Sequence, residues 1–420
     1  MSERVCYLFH ALGHTGGSLV LYRFMDELAR LGYEVVAVTP KRRLVWHPTR
    51  SQEIVAKMAE GSLSPSGGFR PRIIDRARHV QVLRRLRGLL HARHPVEEVR
   101  RLTEGLLRQW VPSDFTIATL CTTAYAAYVL SDRTLSLYHM QHYEEVFFQD
   151  ETWQKIARAT YGLPLELMAN SSWLQGRIRR WFGRESHLLL PGIDADVFSP
   201  RDVVERKYDN PEKFVILSYY SPVRFKAWED ALRAMELVYA RLGSKRVEWQ
   251  VFGGAPIQRP NLPINFVGRK FGTALAELYR RAHVVMMPSW YESFPLPPLE
   301  AMAAGTAVVA TPIGTEDYVE EGRNALVIPP RDPPALADAI VSLIRHPDRA
   351  ARLARGGVET AGRFTWERAA EHLHAILQRA RASPLQQYRR EIAELLPASL
   401  LPGDGRRSDV AGEGGRRSSE

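Results

Sequence analysis

Two runs of alternating strand-like and helix-like segments constrain this chain more than any other feature. Val5-Cys-Tyr-Leu-Phe9 reads as a strand and 10–18 as a loop. A helix follows over about 19–31, with Gly32 as its stop, and 34–39 reads as the next strand. Such βαβ units build parallel sheets whose ligands sit beyond the carboxyl ends of the strands. The pattern breaks between about 41 and 114, then resumes with strands at 115–120, 134–138 and 167–169 and helices at 122–130 and 172–182. A charged, turn-rich stretch at 201–213 reads as a linker. Beyond it a second series begins at 214–217 and continues with strands at 248–252, 264–267, 284–287, 307–310 and 325–328. The expectation is an α/β chain of two doubly wound halves, with the cleft between them as the ligand site.

Length and composition agree. A chain of 420 residues is too long for one ordinary core. Apolar content of 45% and charged content of 25% are those of a globular protein. Cys6 and Cys121 both lie in apolar, strand-like runs, which fits reduced thiols better than a disulfide. The start, Met-Ser-Glu-Arg, leads into a strand without a signal-peptide pattern, and no run of about 18 uncharged apolar residues occurs. A cytoplasmic location is expected. No His/Cys/Asp/Glu cluster has metal spacing, so neither a metal nor a cofactor is expected. The net charge of +10 points to acidic ligands or an anionic surface.

The most informative motif is Met287-Pro-Ser-Trp-Tyr-Glu-Ser-Phe-Pro-Leu-Pro-Pro-Leu-Glu-Ala-Met-Ala-Ala-Gly305. It places Glu292 on a loop after a strand and Glu300 near the start of a helix that Gly305 should end. Pro295, Pro297 and Pro298 suit the turn and the first helical positions because they lack N–H groups and preset φ. A strand, a tight turn and a helix N-terminus together direct unpaired N–H groups at an anion. The plainer alternative is a connection carrying two surface glutamates.

With this motif, the second half resembles the nucleotide-sugar glycosyltransferases of the GT-B fold, specifically the large retaining family 4. The Glu-x7-Glu pattern followed by Leu-Glu-Ala-Met-Ala-x-Gly carries the resemblance. So do Thr306-Ala-Val-Val-Ala-Thr-Pro-Ile-Gly-Thr-Glu316, the stretch 319–330, Pro191-Gly-Ile-Asp-Ala-Asp-Val-Phe-Ser-Pro200 and Ala169-Asn-Ser-Ser-Trp173. The resemblance covers about 165–345 well, 4–40 moderately, and the middle of the first half hardly at all. It implies transfer of a hexosyl group from a UDP-, GDP- or dTDP-sugar to a hydroxyl acceptor, without a metal. It also implies that Glu300 bonds the donor ribose and that Glu292 lies near the transferred sugar. Phe294, Leu296, Ser221 and Gly253 join them in the implied donor pocket.

Two departures stand out. The family's phosphate-binding arginine, five residues before its lysine, is replaced by Ser221; Lys226 fits the lysine and Arg224 lies two residues before it. Arg224 and Lys226 are therefore expected to neutralise the diphosphate together. Ser293 and Pro295 stand where the family usually has glycines, so a hydroxyl is added and a backbone donor removed. In the first half, Gly13, Gly16 and Gly17 occupy the first strand-to-helix loop, where glycine permits positive φ or close backbone approach. His142 is the candidate contact to acceptor or sugar, with His139 competing; His10 and His14 are weaker. Two other classes also fit: a non-catalytic sugar-nucleotide-binding paralogue, and a GT-B sugar-nucleotide isomerase.

The expected domains are 1–200 with a basic insertion at about 41–114, a linker at 201–213, a nucleotide-sugar domain at 214–365, helices crossing back at 366–400, and a disordered tail at 401–420. Residues 69–108 hold eleven arginines against four acidic residues, and Ile73, Ala77, Val80, Leu83, Leu86 and Leu90 form a helical apolar stripe. This segment could dock on an anionic membrane near a lipid-linked acceptor, close over an acidic substrate, or present a solvated basic face. Nucleic acid is not an expected partner, since no aromatic residues interleave the arginines.

Overall fold

The structure is a computed structural model that describes residues 2–13, 15–59, 94–209, 211–254 and 262–382. The apolar stripe from Ile73 to Leu90 and the tail lie outside the described residues.

Two sheets form. The first contains β1 (Arg4–Leu8), β2 (Glu34–Val38), β3 (Arg43–Val45), β4 (Phe115–Ala118), β5 (Leu135–Met140), β6 (Glu166–Ala169) and β7 (His187–Leu188), in the order β3-β2-β1-β4-β5-β6-β7. Only β3 runs antiparallel, pairing Val36 with Val45 at the edge. The second contains β8 (Phe214–Tyr220), β9 (Val247–Gly253), β10 (Ile264–Gly268), β11 (Val284–Met287), β12 (Ala307–Ala310) and β13 (Leu326–Val327), in the order β10-β9-β8-β11-β12-β13. In each sheet the order reverses once, between β1 and β4 and between β8 and β11, and such reversals open a crevice at the strands' carboxyl ends.

Short apolar strands such as Val284-Val-Met-Met287 read as continuous runs because helices cover both faces. Trp249, Ile216, Val284 and Val309 belong to the apolar layer on one side of the second sheet, and Leu217, Val285, Leu299 and Val308 to the layer on the other. The first sheet is likewise enclosed. There the helix Trp366–Arg381 contributes Trp366, Leu373, Ile376 and Leu377 to the layer that holds Val5, Tyr7 and Phe24. The chain thus returns to its first domain after completing the second.

The stretch 201–213 differs from a free linker. Its Tyr208 is buried, donating to the His283 carbonyl at 2.9 Å and accepting from the Ala307 N–H at 2.9 Å. Lys207 donates to Thr306 Oγ1 at 2.8 Å and to the Ala282 carbonyl at 3.0 Å; burial without a carboxylate partner pushes its pKa down to about 7. The charged letters of this segment concealed two anchors to the second domain.

Candidate donor and acceptor site

The second sheet's reversal places two loops side by side. After β8 the chain makes a short turn, Arg224–Lys226, closed by Ala227 at φ 56°. After β11 it runs through Trp290 and Glu292 to the helix Leu296–Ala303. The Trp290 N–H donates to the Phe225 carbonyl at 2.8 Å and ties the loops together. Lys226 Nζ then donates to Glu292 Oε1 at 2.6 Å, with Glu292 buried and Lys226 partly so. Gly314 is the neighbour that permits this placement: it sits at φ 90°, and a Cβ there would lie 2.4 Å from the Glu292 carbonyl oxygen. Only glycine meets both demands.

Arg224 is directed elsewhere. It is exposed, and its guanidinium lies over the Trp290 ring at 5.5 Å. Trp290 also takes Arg331 over its ring at 4.2 Å and donates to Asp230 at 2.7 Å. Arg331 holds φ 62°; it and Ala227 are the positive-φ non-glycine residues among the described residues. Left-handed backbone costs roughly 1–2 kcal/mol per such residue, and strain of this kind concentrates at functional sites. Sequence gave no sign of Arg331.

Glu300 lies one turn into the helix Leu296–Ala303 and accepts from the buried Tyr279 hydroxyl at 3.1 Å. Desolvation raises its pKa to about 7; Tyr279 opposes the rise and the charge of Asp194 adds to it. Phe294 is a core residue, packed on Tyr318 at 5.2 Å and Phe364 at 5.9 Å. Its side chain therefore serves packing. Leu296 is partly buried and reaches the first domain's apolar layer beside Leu12 and Leu19. The Pro295 carbonyl accepts from Tyr318 at 2.7 Å.

Ser293 is buried at the domain boundary. Its hydroxyl donates to Asn170 Oδ1 and stands 3.1 Å from Ser171 Oγ, both at the end of β6. Beside them, Asp317 Oδ2 accepts from the Ser172 N–H at 2.9 Å, at the start of the helix Ser172–Phe182. The departure from glycine at 293 has become a bond between domains.

Ser221 is buried, and its hydroxyl accepts from the Val223 N–H at 3.4 Å. Gly253 ends β9 at φ 124°, where a Cβ would lie 2.4 Å from the Tyr220 carbonyl oxygen, so its glycine is explained by strand packing.

On the first domain, His142 is buried with Nδ1 3.1 Å from the Tyr143 carbonyl, while Nε2 has no partner among the described residues. A carbonyl only accepts, so Nδ1 carries the proton and Nε2 presents a lone pair. Burial lowers the pKa, which keeps the ring neutral. The ring stands 5.8 Å from Phe225 and 6.2 Å from Tyr291, both on the second domain. His139, by contrast, is fully buried, packs edge-on against Phe24 at 5.2 Å and is held down to about 3 by desolvation. It belongs to the core.

Thr15 caps the helix Gly16–Arg30 by accepting from the Ser18 N–H. Gly13, Gly16 and Gly17 do not adopt positive φ, so turn geometry does not explain them. A Cβ on Gly16 or Gly17 would meet nothing within 4 Å, which leaves that helix start open to a ligand. His10 faces Thr122 at 3.3 Å, and His14 lies outside the described residues. Farther down the same helix, Arg23 pairs with Asp194 of the interdomain segment at 2.6 Å.

Residues 212–346 match the family model described as Glycosyl transferases group 1. The chain is 31% identical over 219 residues to a D-inositol 3-phosphate glycosyltransferase of Stackebrandtia nassauensis, covering 46% of this chain and 49% of that one. It is 32% identical over 214 residues to the enzyme of the same name from Saccharomonospora viridis, covering 46% and 50%. The chain thus spans about half the length of the curated relatives it matches. Among solved structures it is similar to a sucrose-phosphate synthase from Thermosynechococcus elongatus, with TM-score 0.66, 21% identity and coverage of 93% and 100%. It is also similar to Anabaena HepE in complex with UDP and glucose, with TM-score 0.62, 17% identity and coverage of 90% and 99%. The two-sheet architecture is the GT-B fold.

Proposed function

We propose that this chain, which carries a group 1 glycosyltransferase domain at 212–346, moves a hexosyl group from a nucleoside diphosphate sugar to a hydroxyl acceptor with retention, as in family 4. The observation that carries the reading is the Lys226–Glu292 pair at the second sheet's reversal, with Glu300 on the helix that follows. Similarity to UDP-bound neighbours supports a nucleotide sugar as the donor.

In this reading Glu300, once ionised, accepts from the ribose hydroxyls, and Glu292 contacts the sugar. Lys226, with Arg224 at the rim, stabilises the departing diphosphate as charge develops on it. The bond from C1 to the phosphate oxygen breaks, its electron pair leaving with the nucleoside diphosphate. The acceptor oxygen bonds C1 on the same face, and its proton passes to the leaving phosphate. The lone pair on His142 Nε2 accepts a hydroxyl of sugar or acceptor, and the open start of the helix Gly16–Arg30 faces a phosphate. No metal or cofactor takes part. The basic stretch around 69–108 would hold the protein on the inner face of a membrane during polysaccharide assembly.

A thermal-shift screen of UDP-, GDP- and dTDP-sugars tests this. At least one should stabilise the chain, and donor hydrolysis or transfer should be lost in Glu292→Ala and Lys226→Ala. If no nucleotide sugar stabilises it, the donor site is wrongly assigned. Binding without turnover would favour a non-catalytic paralogue, and an altered sugar nucleotide without acceptor would favour an isomerase.

A further inference from the structure

The lone pair that His142 offers depends on one peptide group. Nδ1 donates to the Tyr143 carbonyl at 3.1 Å, so the 143–144 peptide decides which ring nitrogen carries the proton. A free imidazole in water favours the proton on Nε2, the opposite of what this site presents. The peptide must therefore be held in place. At its other end the Glu144 N–H donates to the Tyr161 hydroxyl at 2.7 Å. Carbonyl and N–H lie in one rigid plane, so a bond at one end restrains the other. The Tyr161 ring also stacks on Tyr143 at 5.6 Å, and the Arg177 guanidinium lies over the Tyr143 ring at 5.1 Å.

The Glu144 side chain completes the clamp. It is fully buried, accepting from the Cys121 N–H at 2.5 Å and from the Tyr138 hydroxyl at 2.9 Å. Cys121 opens the helix Cys121–Val129, so its N–H has no partner within that helix and the carboxylate meets the helix's positive end. Burial lifts the Glu144 pKa to about 7 against these donors. Tyr138 comes from β5, and Tyr161 follows the helix Glu151–Thr160. Three elements thus converge on two successive residues. A turn that needed only packing would carry an apolar side chain here with less penalty, since a buried carboxylate loses its hydration.

We propose that Tyr161 and Glu144 are positioning residues for sugar transfer: through the 143–144 peptide they hold His142 in the tautomer whose lone pair is on Nε2. The proposal rests on the transferase reading above, in which that nitrogen accepts a hydroxyl of sugar or acceptor. Neither residue touches the ring of His142 or need touch the substrate. Their effect reaches the reaction only through the direction of the Tyr143 carbonyl.

The experiment labels the histidines of the full chain with 15N and assigns His142 by its loss in His142→Gln. Wild type should show a protonated Nδ1 and a bare Nε2. Tyr161→Phe keeps the stacked ring but removes the acceptor. It should raise the ratio of the Nε2-protonated form to the other roughly fivefold, the value of one neutral hydrogen bond. It should also lower kcat while leaving UDP affinity, which belongs to the other domain, unchanged. Added to His142→Gln, the same change should cause no further loss of kcat. Glu144→Gln should keep the wild-type tautomer, because its amide oxygen accepts from Cys121 and the Tyr138 hydroxyl can turn to accept from its N–H. Glu144→Ala, which releases the turn, should resemble Tyr161→Phe. A wild-type ring protonated on Nε2 overturns the proposal. So does a Tyr161→Phe chain that melts lower with its tautomer unchanged, or a kcat loss that adds to that of His142→Gln. If no nucleotide sugar is turned over, the transferase reading falls. The tautomer then still decides whether Tyr161 and Glu144 set the ring.

Discussion

The two walls of the cleft solve opposite electrostatic problems. On the second domain, Lys226 and Glu292 satisfy each other at 2.6 Å, so this buried pair is closed before any ligand arrives, although Arg224 and Arg331 stand at its rim. On the first, His142 presents a bare nitrogen and Arg177 an unused fork of donors. A ligand at the second wall must compete with an existing partner, whereas one at the first gains interactions the protein leaves open. In the proposed function, the Lys226–Glu292 pair would then select charge at the leaving group and the first wall would serve capture.

The comparison breaks most readily at Lys226. Lys226→Ala leaves Glu292 buried without its cation and removes the charge proposed to face the diphosphate. Turnover should fall by about 10²–10³, the range seen when one transition-state donor is removed. A steady-state assay in which Lys226→Ala keeps more than a tenth of wild-type kcat would show that the pair is structural. Next comes Gly314→Ala, which forces a methyl to within 2.4 Å of the Glu292 carbonyl oxygen at φ 90°. The loop must shift, and a displacement near 1 Å can cost about 10²-fold in rate. Nucleotide affinity, which the proposed function assigns to Glu300, should change far less, so a kcat loss with intact UDP binding separates the two carboxylates.

Why one wall was legible in the sequence and the other was not follows from how each is made. Glu292, Glu300 and Lys226 sit at fixed intervals beside strand ends, so the alternation that predicts the sheet also predicts their place. The fold itself was readable for the same reason: buried parallel strands leave continuous apolar runs. His142 and Tyr291 lie 149 positions apart, and their rings come within 6.2 Å only because two domains face each other. Ser293 looked like a hydroxyl merely added beside the donor pocket because its partners, Asn170 and Ser171, are on the other domain. Linear spacing is silent about such contacts. Gly253 and Phe294 show a different limit: strand packing and the core account for both residue types without reference to a ligand. For Lys207, the misleading signal was charge, since a lysine in a polar stretch reads as solvated.

Glu300 offers a smaller but sharper test of the second wall. Its pKa of about 7 lies above the ordinary carboxylate value, so the neutral form is favoured in the fold and ionisation costs stability. On this account, stability falls as pH rises from the ordinary carboxylate value through about 7. Ribose hydroxyls need the ionised form as acceptor. The ionised fraction grows about tenfold between pH 6 and pH 8, so nucleotide affinity should improve by nearly that factor. Glu144, buried in the first domain, is also raised to about 7 by desolvation. Glu300→Gln is therefore the control: calorimetry should show its UDP affinity to be flat with pH. A flat wild-type profile would place the ribose elsewhere.

The smallest expected effect concerns what holds the walls in register. Ser293→Ala removes a buried hydroxyl that donates to Asn170 Oδ1 and leaves that oxygen without its donor. A neutral hydrogen bond is worth about 1 kcal/mol net, or roughly fivefold in an equilibrium. Because the bond crosses the boundary, this loss should fall on domain closure and not on the folding of either half. KM for the acceptor should rise about fivefold, with nucleotide affinity and melting temperature nearly unchanged. Ser293→Thr, which keeps the hydroxyl, should recover part of it if the extra methyl is accommodated. If Ser293→Ala instead lowers the melting temperature and leaves KM alone, the bond stabilises one static arrangement. The contrast between a closed wall and an open one would then describe a rigid cleft and not two surfaces that meet around a substrate.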